Sequence, residues 1–113
     1  MTKEAGIEDP RITEILGTYI DRYMAGFGPY VSCVFFALLF GFTEAKRAKK
    51  GYIKTMHVSV DEIARKSGIS RRKAFDAIKT LKGYWIVVQL KRRGRGNKSR
   101  YYFLPVEKWV IPG

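Results

Sequence analysis

A chain of 113 residues with 46% hydrophobic composition has enough apolar content for one packed core and too much to remain unfolded. Its formal charge of +12 is lopsided: residues 1–51 hold seven Lys/Arg against six Asp/Glu, and residues 52–113 hold fifteen against four. The lone Cys33 excludes an intrachain disulfide framework and a multi-thiolate metal site, and the apolar run Tyr30–Phe42 is shorter than the ~20 residues that span a bilayer.

The opening Met1–Ala5 lacks the basic-then-apolar layout of a secretory signal, so a soluble, cytoplasmic chain in a reducing compartment is expected. From Pro10 to Ala25, the residues Ile12, Ile15, Leu16, Tyr19, Ile20, Tyr23 and Met24 recur every three or four positions. That spacing predicts an amphipathic helix, with Asp9 as its cap and Pro10 in its first turn, ended by Gly26, Gly28 and Pro29. A second helix is predicted from Tyr30 to Lys49. Val31, Val34, Phe35, Leu38, Leu39 and Phe42 share one broad face, with Phe36 and Phe40 off it. So apolar a helix needs cover on two sides: from the core that follows, and from the amino-terminal helix of its own chain or of a partner. Lys46, Arg47, Lys49 and Lys50 suit the negative end of the helix dipole, and Gly51 stops the helix.

Tyr52–Val58 has the composition of a short strand. Ser59 followed by Glu62 is a capping box opening a helix that runs to Lys66 or Ser67, in which Asp61 and Glu62 read as first-turn carboxylates rather than acid–base groups. Ser67-Gly68-Ile69 then makes a tight corner, and Ser70 caps a helix from Arg71 to Lys82. Ala74, Ala77, Ile78 and Leu81 lie inward on that helix, leaving Arg71, Arg72, Lys73, Phe75, Asp76, Lys79 and Lys82 outward. A slight rotation would instead turn Phe75 into the core. Two β-prone runs, Ile86–Leu90 and Tyr101–Leu104, flank a basic loop, Lys91–Arg100, whose Gly94 and Gly96 permit a tight tip. His57, on the first strand, reads as structural because no second histidine accompanies it, Trp85 and Trp109 read as core edges, and Leu104–Gly113 reads as a tail lying back on the domain. The chain has no nucleophile paired with a base, no phosphate-loop signature and no acidic metal cluster, so no catalysis, metal, cofactor or small-molecule ligand is expected. The basic second half points instead to a polyanion, for which nucleic acid is the commonest partner of a small basic domain.

The run Val58-Ser59-Val60-Asp61-Glu62-Ile63-Ala64-Arg65-Lys66-Ser67-Gly68-Ile69-Ser70-Arg71-Arg72, followed by Ala77-Ile78, Leu81 and a basic hairpin, resembles winged helix-turn-helix proteins. The similarity is to the type common in phage and plasmid replication proteins and in small prokaryotic or viral transcriptional regulators. It covers Val31–Leu104 and implies an α+β fold, a three-helix core with a β-hairpin wing. Residues 30–104 would form this domain. Residues 1–29 add an N-terminal amphipathic helix as a candidate dimerisation element, and 105–113 add a C-terminal tail.

The resemblance further implies a non-catalytic, sequence-specific binder of double-stranded DNA acting as a transcriptional regulator or replication-associated factor; the amino-terminal helix, outside the shared pattern, adds the expectation of a homodimer through the N-terminal helices. Helix 71–82 would enter the major groove, bringing Ser70, Arg71, Arg72, Lys73, Phe75, Asp76 and Lys79 to the DNA. The wing, with Arg92, Arg93, Arg95, Asn97, Lys98 and Arg100, would meet the backbone or minor groove. Arg72 is the first choice for a bidentate contact to guanine, Arg71 for phosphate, and Asp76 for cytosine N4. Lys73 stands where such proteins often carry threonine, and the link from Leu81 to Ile86 is a residue short, so a changed strand angle is expected. The alternatives are a winged helix that binds RNA or single strands, or one that meets an acidic protein, for example to inhibit a polymerase.

Overall fold

The computed structural model describes residues 10–48, 56–91 and 98–112. These form a mixed α+β arrangement: helices α1 (Pro10–Arg22), α2 (Met24–Phe27), α3 (Pro29–Ala48), strand β1 (Met56–Ser59), helices α4 (Val60–Ser67) and α5 (Arg71–Gly83), and strands β2 (Val87–Lys91) and β3 (Lys98–Phe103). The three strands make one antiparallel sheet in the order β1-β3-β2, with Met56 opposite Tyr101 and Val87 opposite Phe103. No helix among the described residues is long and apolar enough to cross a membrane.

The expected amino-terminal helix to Ala25 is two pieces. Ile15, Tyr19 and Tyr23, four residues apart, are buried, but at Tyr23 the backbone swings to φ −122° while its amide still donates to the Tyr19 carbonyl, and α2 follows as a separate turn. The break lets the Tyr23 ring meet Phe27 at 5.6 Å and Trp109 at 5.5 Å while its hydroxyl donates to the Val110 carbonyl at 2.9 Å. Gly28, at φ +88°, then turns the chain into α3. The expected cap Asp9, the residues Lys49, Lys50 and Gly51, and Tyr52–Thr55 of the expected strand lie outside the described residues.

The second cover for α3 comes from its own chain. Tyr19 stacks on Phe35 with ring centroids 3.8 Å apart and shares a 2.8 Å hydrogen bond with Ser32, while Arg11 donates to the Phe103 carbonyl and ties α1 to β3. Leu16 and Ile20, expected to face inward, remain about half in solvent, and Cys33 is exposed. On the opposite side of α3, Val31 faces α5 beside Lys73 and Ala77, and Val34 and Leu38, three and seven residues further on, are buried on the same stripe. Gly41 leaves room for Met56 of β1, since a Cβ there would stand 2.6 Å from the Met56 sulfur.

Helices α4 and α5 end alike. The Gly68 amide meets the Arg65 carbonyl and the Ile69 amide meets the Ala64 carbonyl, with Gly68 left-handed at φ +73°. After α5, the Trp85 amide meets Lys82 and the Ile86 amide meets Leu81, with Trp85 left-handed at φ +61°. The short link noted between Leu81 and Ile86 explains this: the strand can start only if the residue before Ile86 takes the reversing conformation, and here that residue is tryptophan. Trp85 is consequently 55% exposed rather than a core edge. Trp109 is buried, its indole N–H donating to the Leu104 carbonyl, and the Val110 amide donates to the Tyr84 carbonyl, so the tail does lie back on the domain.

Candidate nucleic-acid interface

Helix α5 begins at Ser70, whose hydroxyl accepts from the Lys73 amide at 3.1 Å, just as Ser59 accepts from the Glu62 amide at the start of α4. Its apolar residues Ala74, Ala77, Ile78 and Leu81 are buried between α3 and α4, as their spacing requires. At about 100° per residue, the remaining side chains fall on three stripes. Arg72, Asp76 and Lys79 point most directly away from the core and are exposed, and among the described residues Arg72 and Lys79 make no ion pair or hydrogen bond.

The two flanking stripes are engaged. On one, the Lys73 ammonium sits 4.1 Å from the centre of the Tyr30 ring, and Lys73, Asp76 and Thr80 line a groove of about 280 Å³ with Phe27, Pro29, Tyr30 and Val31. Lys73 therefore leans toward α3, in a cation–π contact worth roughly 0.5–1 kcal/mol at an exposed site. On the other stripe, the Arg71 guanidinium donates to Asp61 of α4 at 2.7 Å, Phe75 is 50% exposed, and the Lys82 ammonium donates to Gln89 of β2 at 2.8 Å. Phase thus places Phe75 outside the core, on the flank that looks toward the hairpin.

Gln89 joins α5 to the hairpin. Its amide nitrogen lies 3.0 Å from the Ser99 hydroxyl and 3.2 Å from that of Tyr101, both on β3, while its oxygen takes the Lys82 proton. Strand alternation puts Gln89, Ser99 and Tyr101 on the face toward the helices, and Arg100, Leu90 and His57, aligned across the three strands, on the other face. His57 is accordingly exposed on the outer face. Arg100 is exposed there too. Arg92, Arg93, Arg95 and Asn97 lie outside the described residues; Lys98 opens β3.

Of the expected contact residues, α5 gathers Arg71, Arg72, Phe75, Asp76 and Lys79 on one exposed helical surface, keeps Ser70 as its cap and diverts Lys73. Three participants escaped sequence reasoning. Asp61 was legible as a helix-cap carboxylate but not as the partner of Arg71, ten residues away. Tyr30 read only as the start of an apolar helix. Gln89 carried a usable signal, a lone amide at an inward position of the alternation Val87-Val88-Gln89-Leu90. Comparison with protein-family models, with curated proteins and with solved structures finds no match to this chain.

Proposed function

We propose that this chain is a winged helix-turn-helix protein that binds double-stranded DNA without catalysis, as a transcriptional regulator or replication-associated factor. Under this reading α3, α4 and α5 are the three-helix core, β2 and β3 the wing, and α5 the element that enters the major groove. The observation that carries it is the outward stripe of α5: Arg72 and Lys79, exposed and unpaired among the described residues, on a helix whose flank is tied to a hairpin by the Lys82–Gln89 hydrogen bond. An unpaired arginine near the start of such a helix can offer guanine two parallel hydrogen bonds, worth ~1–3 kcal/mol of discrimination. Asp76 beside it disfavours phosphate and favours a base donor, which supports base reading over backbone grip alone.

Fluorescence anisotropy with a duplex probe, competed by unlabelled duplex, hairpin RNA and single strands, tests the reading. Duplex should compete at least about threefold better than the others, and Arg72→Glu should weaken binding at least about tenfold, in line with the loss of a charge-assisted contact. Equal competition by single strands, with Phe75 required and Arg72 dispensable, would favour the stacking mode that an exposed aromatic on α5 could also serve.

A further inference from the structure

Lys73 has a carboxylate within reach on its own helix and does not use it. Asp76 lies three residues on, a spacing at which helical side chains pair, yet the Lys73 ammonium stands 4.1 Å from the centre of the Tyr30 ring and makes no ion pair among the described residues. An ion pair would neutralise this cation, whereas a ring face holds it in place and leaves its charge to act on an anion. Tyr30 is set there by the packing of α3. Val31 faces α5, so Tyr30, one residue earlier, falls at the edge of the contact between the two helices and is 48% exposed. Phe27 lines the same groove and is itself held against Tyr84, with ring centroids 4.8 Å apart.

On the reading of α5 as a major-groove helix, on which this inference rests, size alone fixes what lies beside Lys73. A helix about 10–12 Å across fills a groove about 12 Å wide, so residues a quarter turn to either side of the inserted face meet the two sugar–phosphate backbones. Arg72 points into the groove, and Lys73 lies about 100° further round, on the side of α3. The hairpin is tied to the other side through Lys82 and Gln89. The strand that runs past α3 therefore meets an ammonium already held in place. Two neighbours narrow the contact. Asp76, one turn from Lys73, also lines the groove and repels phosphate, so the anion belongs at the Tyr30 end. Thr80, beyond it, gives its hydroxyl proton to the Asp76 carbonyl at 3.2 Å and offers the strand no donor.

We propose that Lys73 grips a phosphate of the DNA strand passing on the α3 side of α5, and that Tyr30 is the positioning residue that holds its ammonium for that contact. Duplex affinity of the full chain, measured over a range of salt concentrations, tests this. Lys73→Gln should weaken binding about tenfold at low salt and flatten the log–log salt slope by about 0.9, the value of one phosphate contact. A backbone contact carries no sequence information, so that loss should be equal on a preferred and a scrambled duplex, whereas Arg72→Glu should cost more on the preferred one. Tyr30→Phe keeps a ring and should bind like the wild type. Tyr30→Leu should bind about threefold more weakly, and this loss should vanish in the Lys73→Gln background. A salt slope that Lys73→Gln leaves unchanged would overturn the proposal, as would a Tyr30→Leu loss of equal size in both backgrounds. Where Tyr30→Leu melts well below the wild type, the slope of Lys73→Gln, at an exposed position, decides alone. Failure of the DNA reading looks different: duplex preference and dependence on Arg72 are then both missing, and this inference falls with them. A chain that prefers duplex through Arg72 and is indifferent to Lys73 removes this inference only.

Discussion

Arg71 and Arg72 are neighbours in sequence with different fates. The carboxylate of Asp61 takes the Arg71 guanidinium, while Arg72, a hundred degrees further round, is left to solvent. Both members of the Arg71–Asp61 pair are largely exposed, so its contribution to stability should be below ~1 kcal/mol. Its effect on the proposed interface is larger. Asp61→Ala would release Arg71 and remove a negative charge close to the backbone. Duplex affinity should rise a few-fold, and the log–log salt slope should steepen by about 0.9, the value of one added phosphate contact. An unchanged slope in salt titrations would mean that Arg71 stays away from phosphate even when free.

At the scale of elements, two helix ends of the same design differ in one residue. Gly68 takes the left-handed position after α4 with no neighbour in the way, so Gly68→Ala isolates the backbone cost of ~1 kcal/mol and should lower the thermal midpoint by about 4 °C. Trp85 already bears that cost after α5. The Gly68 corner was legible because a glycine between two apolar-periodic segments has few other uses; the Trp85 corner was not, because tryptophan says nothing local about a positive φ. Burial holds the phenols of Tyr19, Tyr23 and Tyr101 above the ordinary value of 10.0. The unfolded chain therefore loses these protons first as pH rises, so it binds fewer protons than the folded one and stability falls above pH 10. Urea melts at pH 8, 10 and 11 should show a declining midpoint, steepest at the last step; a flat profile would contradict the burial of these rings.

Across the whole molecule, helix order and inward faces could be read from periodicity and caps, since Ala74, Ala77, Ile78 and Leu81 or Val34, Phe35 and Leu38 have no other way to leave water. What could not be read was how the helices are joined in space: that α1 covers α3 of its own chain through Tyr19 and Phe35, that Lys82 and Gln89 couple α5 to the hairpin, or that Asp61 screens Arg71. Each depends on residues brought together by packing. The candidate DNA surface was legible as a list of outward residues, and the structure sorted the cations of α5 on that list into the free Arg72 and Lys79, the paired Arg71 and the diverted Lys73.

The two indoles of the chain stand in opposite surroundings: Trp85 is 55% exposed at the corner between α5 and β2, while Trp109 is 6% exposed with its ring N–H on the Leu104 carbonyl. A water-soluble quencher should therefore reach the emission of Trp85 and spare that of Trp109, which makes the helix-to-strand corner an optical gauge that needs no added label.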